Sequence, residues 1–282
     1  MASSGFSILT INFLTHGDPL MTWKFATFNV NGIRARLAVV VDWIKAQQPD
    51  VLCLQEIKCQ EKDFPAGPFE EAGYHVRVRG QKSFNGVAIL ARREPEQVIR
   101  EFADGEPDDE ARLIAVRVDG VWAVNTYVPQ GRDPNNPAFQ YKLSYFARLK
   151  GWFQTHFDSD QPLIWTGDMN VAPAAIDVFD PKRLEGSVGF HPLERQALSE
   201  VSSWGFIDCF RKHHPDQKQF TFWDYRLPKS FERNLGWRLD HILATRPLAA
   251  VCVACQVDND LRGREHPSDH TPVWAEFSLE KL

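Results

Sequence analysis

The amino-acid sequence predicts an α/β fold in which mixed β-sheets are layered against helices. From Trp23 onward, short apolar runs typical of strands alternate with segments whose apolar residues recur at helical spacing. The runs RLIAVRV and VWAVNTY are separated by Asp119-Gly120, the two-residue signal of a tight hairpin, so at least one strand pair is antiparallel. No linker-like tract or internal repeat interrupts residues 22–280. We therefore expect one domain over residues 22–282, with sheets that are not purely parallel.

The individual elements follow from the spacing of apolar residues and from helix-stop signals. TWKFATFNV predicts a strand at 22–30, and the segment after Gly32 predicts a helix that Pro49 ends. VLCLQE, at 51–56, is a continuous apolar run, as expected for a strand buried on both faces. Helices are predicted near 138–156 and 192–204. Further strands are predicted at 74–79, 86–91, 112–118, 121–128, 162–167, 238–244, 250–257 and 272–277.

Composition and charge limit the class of protein. Hydrophobic residues make up 43% of the 282 residues and charged residues 24%, which suits a globular protein with a packed core and excludes a disordered or collagen-like chain. The formal net charge of −5 would oppose binding of a polyanion if it were spread evenly over the surface. A nucleic-acid partner must therefore meet a local basic face or arrive with metal ions.

The cysteines and the apolar segments bear on the compartment. Five cysteines do not form a paired disulfide framework and favour a reducing, cytoplasmic location. Cys252 and Cys255 form an isolated CxxC, which predicts two buried small side chains rather than a metal or redox site. No run reaches the roughly 18 apolar residues of a membrane span. Residues 6–14 are apolar but lack the basic region and the cleavage site of a secretory signal. Because a strand-like run follows Met21 directly, we expect residues 1–21 to be an extension outside the folded unit.

Polar side chains stand at the ends of the apolar strands. Ligands of α/β sheets bind outside the carboxyl ends of strands, where loops carry function, so endings of this kind can converge on one site. The six endings are FNVNG (28–32), Gln55-Glu56, Asn125-Thr126-Tyr127, Asp168-Met169-Asn170, Leu239-Asp240-His241 and Ser268-Asp269-His270.

The residue types at these endings favour a hard cation. Glu56, Asp168 and Asp269, with the amides of Asn29 and Asn170, offer oxygen ligands that suit Mg²⁺ or Mn²⁺ rather than zinc. The sequence contains no HExxH, GxSxG, GxxxxGK[ST] or GxGxxG motif, so zinc protease, α/β-hydrolase, P-loop and dinucleotide-binding functions lose their usual support. Metal-assisted hydrolysis of a phosphoester fits what remains.

Hydrolysis of a phosphoester needs an activated water and donors to the phosphoryl oxygens. Asp168 is a candidate general base, and Asn170 is a candidate donor that orients the water or the phosphate. His270 is a candidate donor to a phosphoryl oxygen, kept protonated by a carboxylate such as Asp240, and Tyr127 is a candidate donor to the phosphate. Each of these residue types also has ordinary structural roles, as a helix cap or in packing, and only their joint occurrence favours a catalytic site.

Eight segments resemble the exonuclease III family of DNA repair enzymes, part of the endonuclease/exonuclease/phosphatase superfamily. The match runs in order from about Trp23 to Phe277. LQE, GDMN and SDH are shared with phosphatases, sphingomyelinases and deoxyribonuclease I relatives. SWGFIDCFR, FTFWDYR and GWRLDHIL are much more specific and resemble the exonuclease III branch. The segments are FNVNGIRARL (28–37), LQEIK (54–58), YVPQG (127–131), WTGDMNVAP (165–173), SWGFIDCFR (203–211), FTFWDYR (220–226), GWRLDHIL (236–243) and PSDHTPVWAEF (267–277).

The resemblance implies a deoxyribonuclease I-like four-layer α/β sandwich, with two mixed β-sheets packed face to face and helices outside. It implies that Tyr127, Asp168, Asn170, Asp240 and His270 are catalytic, with Asp240 pairing with His270. It also implies a site for Mg²⁺, or Mn²⁺, with Glu56 as principal ligand. Asn29, Asp269 and His270 lie beside Glu56 in that site, and Asp168 and Asn170 are further contacts.

The resemblance further implies a DNA substrate. Phe222, Trp237 and Leu239 match an apolar pocket for a flipped abasic deoxyribose, and Arg112 and Gln130 match substrate contacts. The implied activity is incision of duplex DNA 5′ to abasic sites, with 3′ to 5′ exonuclease and 3′-end cleaning, by a monomer. Other basic residues in the same loops are candidates for phosphate contacts: Arg34, Arg36, Lys58, Lys82, Arg132, Arg226, Lys229, Arg233 and Arg264. The alternatives are a phosphatase or lipid phosphodiesterase of the same superfamily, and a binding relative with weak catalysis.

Overall fold

Two six-stranded mixed sheets are present in the computed structural model, which describes residues 22–282; the expected extension, residues 1–21, lies outside them. Their orders are β11-β12-β1-β2-β4-β3 and β5-β6-β7-β8-β10-β9, and each sheet has one parallel pair, β1 with β2 and β7 with β8. The strands are β1 (Trp23–Asn29), β2 (Val51–Gln55), β3 (His75–Arg79), β4 (Val87–Ala91), β5 (Gln97–Ile99), β6 (Leu113–Val118), β7 (Val121–Tyr127), β8 (Leu163–Asp168), β9 (Phe206–Asp208), β10 (Asp240–Thr245), β11 (Cys252–Val257) and β12 (Val273–Phe277).

The longest helices lie on the outer faces of the sheets, whereas two short ones, at 209–213 and 246–250, add buried residues to the cluster between the sheets. The helices are α1 (Ile33–Gln47), α2 (Gly67–Glu71), α3 (Pro137–His156), α4 (Pro181–Leu184), α5 (Pro192–Ser202), α6 (Cys209–His213) and α7 (Arg246–Ala250). Of the three longest helices, α3 and α5 begin at a side-chain cap. Asn136, for example, accepts a hydrogen bond from the backbone of Ala138 at the start of α3, and Pro137 occupies its first turn.

Three apolar clusters hold these layers together. All five residues of β2 are buried because Val51 and Cys53 face the second sheet, whereas Leu52 and Leu54 face α1. The cluster between the sheets therefore has an apolar layer on each side. On the far side of the second sheet, aromatic and aliphatic residues of α3, such as Phe153, pack on the strands. The arrangement confirms the predicted four-layer α/β sandwich.

The predicted hairpin is also confirmed, and it joins β6 to β7 in antiparallel register. Asp119 and Gly120 both have positive φ angles, +53° and +76°, as the mirror-image turn of a two-residue hairpin requires. The sequence did not predict β5, β9 or the short helices α2, α4, α6 and α7. Elements of three to five residues are too short to establish a period, so their pairing depends on neighbours distant in sequence.

The five cysteines are buried free thiols, Cys252 and Cys255 among them. Over residues 22–282, the helices are too short or too polar to cross a membrane.

Candidate active site

The polar strand ends meet at one edge of the two sheets. Asn29 is the register partner of Gln55 across β1 and β2, and Tyr127 is the partner of Asp168 across β7 and β8. Parallel neighbours end on the same side, so the residues that follow them leave the sheet together. Asp240, the first residue of β10, pairs with Asp168 from the other side. Register within each sheet, together with the packing of the two sheets, therefore brings together residues as far apart in the chain as Asn29 and Asp240.

Gly167 allows β8 to approach β7 closely next to Asp168. A Cβ atom on Gly167 would lie 1.9 Å from the backbone oxygen of Thr126, and the φ angle is +128°. A residue with a side chain cannot adopt this conformation at this distance. The glycine of the GDMN motif thus places Asp168 opposite Tyr127.

A cavity of about 700 Å³ opens above these strand ends. Most of the predicted site residues line it: Glu56, Tyr127, Gln130, Asp168, Asn170, Phe222, Trp237, Leu239, Asp269 and His270. The other three, Asn29, Arg112 and Asp240, lie behind this lining and contact residues that form it.

Asp168 is buried in the floor of the cavity, with 1% of its surface exposed. One carboxylate oxygen accepts from the backbone N–H of Asn170 at 2.8 Å, and the other accepts from Nδ2 of Asn29 at 2.9 Å. Burial raises the pKa of Asp168 to about 7, helped by the charges of Asp240 and Glu56, although His270 opposes the shift. A carboxyl group with such a pKa is suited to accept a proton near neutral pH.

His270 lies between two carboxylates. Its Nδ1 donates to Asp240 Oδ2 at 2.8 Å, and its Nε2 is 3.7 Å from Asp168 Oδ2. Burial lowers the pKa of His270, but the charges of Asp240 and Asp168 outweigh it and raise the pKa to about 10. His270 is therefore an imidazolium at neutral pH, with its orientation held by Asp240.

Two asparagines orient the carboxylates. Asn29 is fully buried, and its amide NH₂ donates to both Glu56 and Asp168 while its oxygen accepts from the backbone of Asn31. Because the two carboxylates need a donor, the NH₂ group belongs on that side. Asn170 has a left-handed backbone, with φ of +51°, and its side chain donates to the oxygen of Val128 at 2.9 Å.

Tyr127 is buried in the same wall of the cavity. Burial raises the pKa of its hydroxyl well above the usual value, and the charges of Glu56 and Asp168 add to the shift. The phenol therefore remains a donor at all working pH values. Arg112 lies behind it, with the guanidinium 4.9 Å from the ring centre, an ion pair to Glu110 and a hydrogen bond to the oxygen of Tyr127. In this structure Arg112 supports Tyr127 rather than facing the cavity.

At the mouth of the cavity, a chain of contacts joins the carboxylates of Glu56 and Asp269. Lys58 Nζ lies 2.8 Å from Glu56 Oε2 and also donates to the side chain of Asn31, which in turn donates to Asp269 at 2.9 Å. Burial would raise the pKa of Glu56, but the ammonium of Lys58 and the hydrogen bond from Asn29 lower it. Glu56 is therefore ionised.

The donor set fits a divalent cation. Glu56, Asp168, Asp240 and Asp269 are opposed by two nearby cations, Lys58 and His270, so negative charge is in excess. Asp240 Oδ1 is buried without a hydrogen-bond partner. Ligand atoms of Asp168, Asp240 and His270 lie within 4.8 Å of one another, but His270 carries protons on its ring nitrogens, which leaves the carboxylates as the oxygen ligands.

The apolar side of the cavity is formed by Phe222, Trp237 and Leu239. Phe222 and Trp237 exchange two backbone hydrogen bonds of 2.9 Å, and their side chains pack on a small cluster with Leu239. The ring of Phe222 lies 4.8 Å from the ring of His270. The apolar pocket and the candidate catalytic histidine therefore share a wall.

Sequence reasoning assigned no role to several residues of the cavity. Asn31 and Asp224 contribute polar groups, and Val188 and Gly189 add a stretch of wall in which Gly189 lies against the ring of Trp237. Asn31 has a φ angle of +45°, and the Asn-Gly pair at 31–32 was the available signal for such a turn. Val188 and Gly189 had no signal, since they lie in a loop without periodicity. Lys58, Arg132 and Arg226, expected among the phosphate contacts, also line the cavity.

Comparisons with known proteins agree with this geometry. The sequence profile of the Endonuclease/Exonuclease/phosphatase family matches residues 26–270. The exodeoxyribonuclease III of Haemophilus influenzae is 37% identical over 266 residues, which cover 90% of this chain and 99% of that protein.

Two solved structures extend the likeness to three dimensions. An AP endonuclease from Archaeoglobus fulgidus superposes with a TM-score of 0.87 at 46% identity, covering 90% of this chain and 98% of its own. A variant of the 3′ phosphatase NExo from Neisseria, bound to a product DNA hairpin, also has a TM-score of 0.87, at 36% identity, with 90% and 99% covered. The chain belongs to the endonuclease/exonuclease/phosphatase family, in its exonuclease III branch.

Proposed function

We propose that this protein is a metal-dependent DNA phosphodiesterase of base excision repair, which incises duplex DNA 5′ to abasic sites and cleaves nucleotides or blocking groups from 3′ ends. The observation that carries the proposal is one cavity in which Asp168 and His270 stand beside the apolar pocket of Phe222 and Trp237. Hydrolytic groups and a slot for a sugar without a base are thus adjacent.

Asp168 accepts the proton of the attacking water. Its pKa of about 7 leaves a sufficient ionised fraction at neutral pH, and Asn29 and Asn170 hold the carboxylate in place. The side chain of Asn170, which also lines the cavity, is close enough to orient the water.

Negative charge that develops on the phosphoryl oxygens meets two donors. His270, protonated and oriented by Asp240, donates from Nε2, and Tyr127 donates from its hydroxyl. Glu56 and Asp269 would hold a divalent ion, and Mg²⁺ is the ion whose preference these carboxylates match, with Mn²⁺ as a substitute. When bound, the ion supplies positive charge to the phosphoryl oxygens.

The substrate is duplex DNA held by a local basic rim. The chain as a whole has a net charge of −5, but Lys58, Arg132 and Arg226 surround the opening of the cavity. Contacts of this kind to phosphates give affinity without reading sequence, and they weaken steeply as salt is raised. The three relatives compared above carry the names of an exonuclease, an AP endonuclease and a 3′ phosphatase, and they support a DNA-end and abasic-site substrate.

The setting proposed for this activity is a single catalytic domain, residues 22–282, acting as a monomer in the cytoplasm. The continuous core between the two sheets supports one domain. Five free thiols, all buried, support a reducing compartment.

The test is cleavage of a duplex oligonucleotide that carries one abasic analogue, with Mg²⁺ and with EDTA, beside an undamaged duplex with a recessed 3′ end. We expect metal-dependent cleavage at the lesion, abolished in Asp168→Asn. Asp160→Asn, in an exposed turn far from the cavity, is the matched control and should cleave like the unmodified protein. Failure of the unmodified protein to cleave either DNA, with hydrolysis of a lipid phosphodiester or inositol phosphate instead, would contradict the proposal.

A further inference from the structure

A fully buried ion pair lies beneath the cavity and takes no part in the chemistry described above. Lys142, on α3, and Glu194, on α5, are both 0% exposed, and their charged groups are in direct contact. Removing two charges from water is costly, and an apolar pair of similar size would serve packing as well or better. A buried pair of this kind therefore calls for an explanation beyond stability.

The ammonium of Lys142 reaches two loops that form the cavity. Its Nζ donates to the backbone oxygen of Asn170 at 2.7 Å and to the backbone oxygen of Gln130 at 3.3 Å. Asn170 and Gln130 both line the cavity. Gly131 lies against the same side chain, since a Cβ atom there would be 3.2 Å from Lys142 Cδ.

The carboxylate of Glu194 holds a third loop. Its second oxygen accepts from the backbone N–H of Gly189 at 2.8 Å and from that of His191 at 3.1 Å. Gly189 lines the cavity and lies against the apolar pocket, because a Cβ atom on it would be 3.4 Å from the ring of Trp237. Its backbone oxygen accepts from the N–H of Ala172 at 2.7 Å. Each partner of the ion pair thus holds backbone that faces substrate.

We propose that Lys142 and Glu194 are positioning residues, which hold the loops bearing Gln130, Asn170 and Gly189 at the separation that catalysis and the apolar pocket require. The inference rests on the proposed function, because the distances between these three loops matter for catalysis only if the loops contact the same substrate. Asn170 is the most sensitive member, since its left-handed backbone directs its carbonyl at Lys142 and its side chain at Val128. A shift of the loop by a fraction of an ångström moves Asn170 away from Asp168 and from the water.

The chain provides a matched control on the same two helices. Lys150 of α3 and Glu200 of α5 form an ion pair of 4.0 Å, but both are exposed. Lys150→Met and Glu200→Gln change the same residue types between the same helices without touching a loop of the cavity. They should leave activity and folding unchanged.

The deciding variant is the double change Lys142→Met with Glu194→Gln. Lys142→Met alone leaves a buried carboxylate unpaired and is expected to destabilise the protein, so it cannot separate folding from positioning. The double variant removes both charges, while the amide oxygen of Gln at 194 can still accept from Gly189. Besides the contact between the two side chains, the donations of the ammonium to Asn170 and Gln130 are lost.

Two measurements apply to the double variant. The first is amide hydrogen exchange without DNA, in which peptides covering residues 128–132 and 169–172 should exchange faster than in the unmodified protein, while those covering the outer turns of α3 should not. The second is steady-state cleavage of the abasic duplex with Mg²⁺ at a temperature where every variant is folded. We expect kcat to fall by about tenfold to a hundredfold with KM changed by less than about threefold.

Opposite results overturn the inference. A double variant whose kcat stays within about twofold, with unchanged exchange in both loops, would mean that the pair contributes packing alone. If the unmodified protein does not cleave DNA, the proposed function fails, but the exchange measurement still decides whether Lys142 holds these loops.

Discussion

His270 and Asp240 link the chemistry of the cavity to the buried residues behind it. Nδ1 of His270 donates to Asp240 over 2.8 Å, which directs Nε2 toward the cavity and Asp168. The charge of Asp240 is the leading influence that raises the pKa of His270 against the effect of burial. The orientation of His270 therefore depends on Asp240, which does not itself line the cavity, and Asp240 also contributes most to the raised pKa of His270.

Asp240→Asn should lower kcat by about a hundredfold to ten-thousandfold, because a neutral amide does not stabilise the imidazolium charge and no longer requires a proton on Nδ1. The pKa of His270 should fall from about 10, so the alkaline limb of the pH profile should move to lower pH. Cleavage of the abasic duplex as a function of pH measures both effects. Asp258→Asn is the control, since Asp258 accepts from Trp43 at 2.7 Å away from the cavity. An unchanged alkaline limb would contradict the assigned role.

Asp168→Asn should remove activity and yet stabilise the metal-free protein above about pH 7. The folded-state pKa of Asp168, about 7, lies above the ordinary value of 3.8, so the folded protein binds this proton more tightly than the unfolded chain does. Stability from this group is therefore present at low pH and is lost as pH rises toward 7. In EDTA, the melting temperature of the variant should rise relative to that of the unmodified protein as pH rises from about 4 to about 8. If the melting temperature of the variant is not higher at about pH 8, or if Asp160→Asn shows the same increase, the raised pKa of Asp168 is not the cause.

Trp237→Ala should reduce the preference for abasic over undamaged duplex by about tenfold, because it opens the apolar wall that Phe222 and Leu239 share. The measurement is the ratio of kcat/KM for the two substrates. Trp274→Ala is the matched control, since Trp274 is half-buried on β12 beneath Lys24, 4.5 Å from the ring centre, and does not line the cavity. A variant with an unchanged ratio would mean that Trp237 has no part in selecting the sugar.

Lys58→Met should increase the affinity for Mg²⁺ and weaken that for DNA. The ammonium lies 2.8 Å from Glu56 and helps to lower its pKa, so it competes with a metal cation for the same carboxylate. It also lines the cavity, where it favours phosphate. We expect a lower half-saturating Mg²⁺ concentration, a higher KM for DNA and a weaker salt dependence of binding. Lys62→Met, in an exposed turn outside the cavity, is the control. Weaker binding of Mg²⁺ by Lys58→Met would contradict the competition.

Local signals account for the parts of the fold that sequence predicted. Asp119-Gly120 specifies its turn through the φ angles of two residues, and β2 is recognisable because both of its faces are apolar. Asp168 and His270 were predicted together because each lies next to a recognisable strand within a distinctive motif, and the structure places both in the wall of one cavity. Such information lies within a few residues of chain and needs no knowledge of the rest.

Contacts between distant segments could be decided only by the tertiary structure. Arg112 was expected to meet substrate but lies behind Tyr127, because register in β6 and β7 and the pairing with Glu110 direct its guanidinium there. Lys142 and Glu194 are 52 residues apart, and neither has a local feature that reveals their contact.

The sequence by itself therefore determined the class of fold, the chemistry of the donor set and the family. The tertiary structure decided which of those groups face the cavity, which of them hold others in place, and which pKa values shift. The physical reason is the distance over which each effect acts. Backbone preferences and apolar periodicity act over a few residues of chain. Burial and charge act through space, between segments that only packing and sheet register bring together.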